Sequence, residues 1–163
     1  MHGESYGWAR HCCAGQVEDA AEVLQTTYLK ILDGKARYDG KASFKTWLFA
    51  VIRNTAADVR RQRKQRRLRL VCSAALPEAA PSERPDESLD RAERQTLFRQ
   101  ALADLSDRQR EVLHLVMYHD LTIEEAARVM GVSLGSARTH YERGKKRLRT
   151  LLEATGAFDA SEH

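Results

Sequence analysis

The chain has 163 residues, of which 42% are hydrophobic and 31% are charged, and its net charge is +4. This length allows one ordinary domain or two small ones, and no apolar stretch reaches the roughly 20 residues that a membrane span requires. The N-terminus also lacks the basic start and apolar run of a signal peptide. We therefore predict a cytoplasmic protein without membrane insertion, and the basic balance favours a polyanionic partner.

The cysteines give little support to metal or redox chemistry. Cys12 and Cys13 are adjacent and Cys72 is distant, which is not a disulfide framework. Zinc sites space their cysteines by two to four residues so that both sulfurs reach one ion. A metal-dependent enzyme built on His11, Cys12 and Cys13 is therefore a minor alternative. We predict no metal, no cofactor and no catalytic residues, because the sequence shows no nucleophile with its base, no phosphate-binding glycine loop and no paired carboxylates.

Two helices are predicted in the first part of the chain. Apolar residues repeat at helical spacing from Val17 to Leu32, and Gly34 follows where a C-cap glycine would lie. Ser43 is placed to cap a second helix, whose apolar stripe contains Phe44, Trp47, Leu48, Val51, Ile52, Thr55 and Val59. Trp47 could stack on an unpaired base, but its place in the stripe favours the core.

The second of these helices ends in a strongly basic run from Arg60 to Arg69. Charge runs of this kind are often only solvated. All three prolines, Pro77, Pro81 and Pro85, follow within an acidic segment that lacks apolar periodicity. We therefore predict a domain over residues 1–72, a linker over 73–88, a second domain over 89–155 and a tail over 156–163.

The second domain is predicted to contain four helices. The first spans Leu89 to Ala103, and the next two begin at capping boxes, Ser106 to Gln109 and Thr122 to Glu125. After the turn at Gly131-Val132, a longer helix begins at Ser133, which completes a helix-turn-helix. No strand pattern is visible. The predicted fold is all-α, with two small helical domains on a flexible linker.

The last helix has the surface of a DNA-recognition helix. With Leu134, Ala137, Tyr141 and Leu148 turned inward, its outer face carries Ser136, Thr139, Arg143 and Lys146, flanked by Arg138. Arginine can contact guanine with two hydrogen bonds, and hydroxyls can meet bases or phosphates. A solvated cationic face is the plainer interpretation, but the preceding helix and turn favour DNA binding. Gly144, costly inside a helix, predicts close approach of a neighbouring element.

Four segments in order resemble the extracytoplasmic function (ECF) group of bacterial sigma factors, which keep only domains two and four. Residues 19–29 are similar to region 2.2, residues 44–58 to regions 2.3 and 2.4, residues 105–112 to region 4.1, and residues 131–138 to region 4.2. The first helix is shorter than is usual in this group, at about Ser5 to Ala14. Ala21 and Thr26 replace residues that are usually acidic, which predicts weaker affinity for polymerase.

The resemblance implies a promoter-specificity subunit. Its partners would be bacterial core RNA polymerase, through the β′ coiled coil, promoter DNA and an anti-sigma factor. The residues implied for polymerase binding are Asp19, Glu22, Gln25 and Tyr28. Those for the −10 element are Lys41, Ser43, Arg53, Asn54, Asp58, Arg60 and Arg61. The resemblance and the outer face of the last helix together predict contacts to the −35 element from Ser136, Arg138, Thr139, His140, Arg143 and Lys146.

One alternative function remains open, a stand-alone helix-turn-helix regulator of the LuxR-like kind. Such a regulator would bind operators without associating with polymerase. The first domain shows neither a phospho-acceptor aspartate at a strand end nor a ligand-pocket pattern, which weighs against this alternative.

Overall fold

The computed structural model describes residues 1–70 and 89–154, and regular structure in these ranges is helical. The predicted linker, residues 73–88, and the predicted tail, residues 156–163, lie outside the described residues. The helices are α1 (His2–Cys12), α2 (Val17–Leu32), α3 (Phe44–Leu70), α4 (Leu89–Ala103), α5 (Asp107–Leu113), α6 (Ile123–Met130) and α7 (Leu134–Ala154). A π-helical turn, His114–Tyr118, continues α5. The prediction of an all-α fold is confirmed.

The described residues form two compact units. In the first unit α1, α2 and α3 pack against one another, and the segment Glu125–Val132, which contains most of α6, also belongs to it. The second unit contains α4, α5 and α7, with α5 and α4 both packed against α7.

Trp8 anchors α1 in the first unit. Its indole Nε1 donates a hydrogen bond to the Phe49 carbonyl oxygen at 2.9 Å, and the two rings stack with centroids 5.7 Å apart. Both side chains are fully buried, so a large aromatic area and a satisfied polar group lie together at the centre of this unit. Other buried apolar residues of α1, α2 and α3 are Ala9, Ala20, Val23, Leu24, Leu48, Ile52 and Ala56, and those of the segment Glu125–Val132 are Ala126, Ala127, Val129 and Met130.

The core-facing stripes of α2 and α3 differ from the predicted ones. In α3 the buried side chains are Thr46, Leu48, Phe49, Ile52, Thr55 and Ala56, whereas Phe44 is exposed and Trp47 is only half-buried. The predicted placement of Trp47 in the core is therefore wrong. In α2 the side chains of Val17 and Leu32 are likewise exposed. Val17, Leu32 and Phe44 are terminal residues of α2 and α3, and Trp47 packs against Tyr38 and Phe44, so the predicted stripes include residues outside the core.

Local signals in the sequence explain how the helices of the first unit begin and end. Gly34 adopts φ +68° and its N–H donates to the Ile31 carbonyl, which ends α2 as predicted. Ser43 caps α3, since its hydroxyl oxygen accepts from the Thr46 N–H at 3.1 Å. The turn between α1 and α2 uses two residues with positive φ, Ala14 and Gly15.

The second unit depends on one arginine at the turn between α4 and α5. The predicted capping box of Ser106 and Gln109 is present at the start of α5. One turn later, the Arg110 guanidinium donates to the carbonyl oxygens of Leu102, Ala103 and Leu105, at 2.9 to 3.2 Å. The carbonyls of Leu102 and Ala103 belong to the last turn of α4, which lacks partners within the helix, and that of Leu105 lies in the turn before α5. Arg110 therefore fixes the angle at which α5 leaves α4.

Gly144 lies buried where α5 crosses α7. A Cβ atom at this position would lie 3.1 Å from both the Gln109 Cβ and the Leu113 Cδ1. The predicted close approach is therefore confirmed, and α5 is the neighbouring element. The adjoining apolar cluster comprises Ala101, Leu105, Leu113 and Leu148, with Tyr141 packed against it.

The replacement Gly144→Val should lower the free energy of unfolding by about 1–3 kcal/mol, because the added methyl groups have no space against α5. Gly135→Ala in the same helix is the matched control, since a Cβ atom at position 135 would have no neighbour within 4 Å. It should stabilise the chain by about 0.5–1 kcal/mol through helix propensity. Urea unfolding followed by circular dichroism measures both. Equal effects of the two replacements would show that α5 does not restrict position 144.

Candidate nucleic-acid interface

The outer face of α7 is exposed as predicted. Ala137, Gly144 and Leu148 are buried on the inner side, and Ser133 caps the helix by accepting the Ser136 N–H at 3.1 Å. The Thr139 hydroxyl donates to the Gly135 carbonyl at 3.0 Å, so it is held against its own helix. The exposed side chains among the −35 candidates are Ser136, Arg138, Thr139, Arg143 and Lys146, and His140 is half-buried.

The basic face of α3 is also open to solvent over its second half. From Arg60 to Leu70 every residue except Arg63 is exposed. Closer to the start of the helix, Asn54 is exposed and Arg53 is half-buried. Among the −10 candidates on α3, Arg60 and Arg61 therefore lie where the helix leaves the core, whereas Arg53 and Asn54 lie between the buried residues Ile52 and Thr55. This places a run of guanidinium groups where a phosphate backbone could be contacted.

Asp58, another −10 candidate, has structural partners. Its carboxylate accepts from Lys30 Nζ of α2 at 3.0 Å and lies 3.5 Å from Arg61 Nη1. Lys30 also donates to the Thr55 hydroxyl at 3.3 Å. A carboxylate repels phosphate, so the geometry favours Asp58 as a residue that joins α2 to α3 and orients Arg61.

The two −10 candidates before α3 are also tied into local structure. The Lys41 N–H donates to Asp39 Oδ1 at 3.1 Å, and this hydrogen bond lowers the pKa of the Asp39 carboxyl. The Ser43 hydroxyl is used to cap α3. The Lys41 ammonium lies 3.5 Å from Asp39 Oδ2, and its side chain is 86% exposed, so a ligand can still reach it.

An aromatic cluster beside this loop was not predicted as a functional surface. The rings of Tyr38, Phe44 and Trp47 have centroids 5.4 to 5.6 Å apart. Tyr38 and Phe44 are each 44% exposed, and the Tyr38 hydroxyl donates to the Ala42 carbonyl at 2.5 Å. Exposed rings held rigidly beside basic residues can stack with unpaired bases. The signal in the sequence is a group of three aromatic residues around one turn. It is easily missed because the apolar spacing of α3 assigns Phe44 and Trp47 to the core.

The polymerase candidates lie on α2, and two of them form ion pairs with α3. The Arg63 guanidinium pairs with Asp19 through Nη1 and with Glu22 through Nη2. These hydrogen bonds to the two carboxylates raise the pKa of Arg63. Gln25 is exposed, and the Tyr28 hydroxyl lies 3.2 Å from His2 Nδ1 of α1.

Cys13 lies close to this acidic surface. Burial, together with the negative charge of Asp19, raises the pKa of its thiol to about 11, although Arg60 and Arg63 act in the opposite direction. The thiol therefore stays protonated at neutral pH, which is the opposite of a reactive cysteine or a metal ligand. Within residues 1–70 and 89–154, no cluster of three or more His, Cys, Asp or Glu side chains could hold a metal ion.

No described helix is both long and apolar enough to span a membrane. The candidate sites are the cationic surfaces of α3 and α7 and the acidic surface of α2. The structure brings the −10 and polymerase candidates together on the packed pair α2 and α3 and on the loop that precedes α3. The −35 candidates share the outer face of α7.

Comparison with known proteins decides between the functional alternatives. Residues 2–67 match the family Sigma-70 region 2, and residues 95–148 match the family Sigma-70, region 4. The ECF RNA polymerase sigma factor ShbA of Streptomyces griseus is 36% identical over 154 residues, which cover 90% of this chain and 75% of ShbA. The chain belongs to the ECF sigma factors.

Other relatives agree with this assignment. The RNA polymerase sigma factor CarQ of Myxococcus xanthus is 32% identical over 133 residues, covering 82% of this sigma factor and 74% of CarQ. Among solved structures, the sigma factor RpoE of Bartonella quintana, in complex with the anti-sigma factor NepR, has a TM-score of 0.66. It is 22% identical, and the match covers 93% of this chain and 91% of RpoE. This similarity shows a shared fold.

Cys13 of this sigma factor should react slowly with iodoacetamide. A pKa of about 11 in place of the ordinary 9.0 lowers the thiolate fraction at pH 8 by about a hundred-fold. The raised pKa also means that the folded chain holds this proton more tightly than the unfolded chain. The resulting stabilisation is fully present below pH 9 and is lost as the pH rises towards 11. Mass spectrometry of the peptide, compared with the chain unfolded in urea, measures the rate. Equal rates in the folded and unfolded chain would contradict the prediction.

Proposed function

We propose that this sigma factor binds bacterial core RNA polymerase through α2 and directs it to promoters through α3 and α7. The main support for this division of roles among α2, α3 and α7 is the distribution of charged side chains on their surfaces. Two separate helices present exposed cationic faces, and the helix packed beside one of them presents carboxylates. The cationic faces suit the phosphates of nucleic acid, and the carboxylates are complementary to a basic protein surface. No catalytic step is assigned to the chain, and its place of action is the cytoplasm, with the polymerase.

The −35 element is assigned to the outer face of α7. Arg143 and Lys146 lie on the side of the helix away from the buried Ala137 and Leu148. An arginine near the middle of a recognition helix can reach base edges in the major groove, while the basic residues further along follow the phosphates. Ser136 and Thr139, whose hydroxyls also bond within the helix, supply shorter contacts.

The −10 element is assigned to α3 and the loop before it. The exposed arginines Arg60 and Arg61 meet the backbone, Asn54 meets bases, and the Tyr38, Phe44 and Trp47 cluster stacks with bases that leave the duplex. Extruding a base costs a few kcal/mol, and stacking on an aromatic side chain returns about 1–3 kcal/mol per base. Aromatic and basic groups are therefore both needed at this surface.

The domain division is assigned as residues 1–72, 73–88 and 89–155, followed by a tail over 156–163. With one DNA-binding surface on either side of the 73–88 segment, engagement of one promoter element raises the effective concentration of the other surface. Neither surface then needs to bind tightly by itself. An anti-sigma protein is a further proposed partner, because the sigma factor RpoE, which has the same fold, is solved in complex with the anti-sigma factor NepR.

The first test is association of the purified chain with bacterial core RNA polymerase, followed by transcription from the DNA upstream of its own gene. Co-elution together with a new initiation site supports the proposal. DNA binding without association with polymerase would support a stand-alone regulator instead, an alternative that the match to region 2 disfavours.

The replacement Arg143→Ala should weaken promoter binding by about 1–3 kcal/mol and relax the preference at one −35 position, since a contact to a base edge is lost. Arg149→Ala is the charge-matched control, because Arg149 is exposed near the end of the same helix. Binding of the reconstituted holoenzyme to a set of −35 variants measures the preference. A loss of affinity that is equal for every sequence would identify Arg143 as a phosphate contact.

Two replacements should separate charge from stacking at the −10 surface. Arg61→Ala should reduce the salt dependence of binding to single-stranded −10 DNA by about 0.7 in the slope of log K against log salt concentration. Phe44→Ala should cost about 1–3 kcal/mol without changing that slope. Titrations of holoenzyme at several salt concentrations measure both quantities. If Phe44→Ala changed only the slope, the aromatic cluster would not be a stacking surface.

A further inference from the structure

Arg63 differs from the other cations of the basic run on α3. The run contains Arg60, Arg61, Arg63, Lys64, Arg66, Arg67 and Arg69, and within the described part of this segment Arg63 is the cation that is half-buried. Its guanidinium reaches across to α2 and contacts Asp19 and Glu22, one carboxylate through each terminal nitrogen. A planar, two-pronged contact of this kind is more specific than a single surface ion pair.

The two carboxylates held by Arg63 belong to the surface of α2 that is assigned to polymerase binding. Asp19 is 32% exposed and Glu22 is 52% exposed, so both can be reached from solvent. Their negative charge is already compensated by a positive group of the same chain. A cationic partner that approaches this surface must therefore replace Arg63 before it can pair fully with the carboxylates.

We propose that Arg63 forms an intramolecular ion pair with the carboxylates that bind polymerase, and that a cationic segment of core RNA polymerase displaces Arg63 from them on binding. The inference rests on the proposed function of α2. The displaced guanidinium then joins its neighbours Arg60 and Arg61 on the basic face of α3. Polymerase binding in this way adds one positive charge to the DNA-facing surface, and by linkage DNA binding favours polymerase binding to the same extent.

The expected effect is modest, because exposed ion pairs contribute little in water. Removal of the internal competitor should strengthen polymerase binding by about two- to five-fold, which corresponds to an exposed or partly exposed pair. The effect should diminish as the salt concentration rises, because screening weakens the internal pair.

The test measures the affinity of the labelled full chain for core RNA polymerase without DNA, by fluorescence anisotropy at low salt. Arg63→Gln should bind about two- to five-fold more tightly than the wild type. Arg66→Gln is the matched control, because Arg66 is exposed on the same helix and carries the same charge. Its affinity should be unchanged or weaker. Equal or weaker binding by Arg63→Gln would overturn the inference.

A second variant tests the inference even if Arg63→Gln does not fold. Arg63→Lys keeps the positive charge near Asp19 and Glu22 but cannot make the two-pronged contact. Its affinity for polymerase should lie between those of the wild type and Arg63→Gln, with an unchanged thermal unfolding curve. Binding by Arg63→Lys that is no tighter than the wild type would count against displacement, whether or not Arg63→Gln folds.

The carboxylates themselves separate the two proposals. If polymerase uses Glu22, then Glu22→Gln should weaken polymerase binding, and it should do so more strongly in the Arg63→Gln background, where the carboxylate has no internal partner to lose. Weakening by Glu22→Gln without strengthening by Arg63→Gln would reject only the role of Arg63. No weakening by Glu22→Gln or Asp19→Asn would reject both proposals at α2.

Discussion

The packing of α2 against α3 is the constraint on which both surfaces of the first unit depend. Val23 and Ile52 are buried in the core of this three-helix unit. Ion pairs then connect the two helices at two levels, Lys30 to Asp58 and Arg63 to Asp19 and Glu22. Burial supplies most of the stabilisation, and the ion pairs join the polar faces of the two helices. The acidic face of α2 and the basic face of α3 are therefore held in one arrangement.

Much of this fold could be predicted from the sequence because its signals are local. The start of α5 follows from the capping box at Ser106, the end of α2 from Gly34, and the inner face of α7 from apolar spacing. These features depend on residues within one or two turns of each other. The ECF family could be predicted for a similar reason, since its motifs are short segments in a fixed order.

The features that were missed depend on tertiary partners. Trp47 has the spacing of a core residue, and only the positions of Tyr38 and Phe44 show that it belongs to a surface cluster. The π-helical turn at His114–Tyr118 has no marker in an apolar pattern with a period of 3.6 residues. The pairing of Arg63 with α2 could not be read from a run of seven cations, because nothing in such a run distinguishes the member that faces another helix.

Gly144 has a consequence for how promoter preference can change over evolution. It lies at the close approach of α7 to α5, in the middle of α7, whereas Thr139, Arg143 and Lys146 are exposed on the same helix. Substitutions at those exposed positions leave the α5 contact untouched and so carry little stability cost. On the proposed assignment of these positions to the −35 element, the preferred −35 sequence can therefore diverge between related sigma factors while the helix packing beneath it is retained. Position 144 does not share this freedom, since a Cβ atom there would lie 3.1 Å from the Gln109 Cβ and Leu113 Cδ1 atoms of α5, so these neighbours would have to shift.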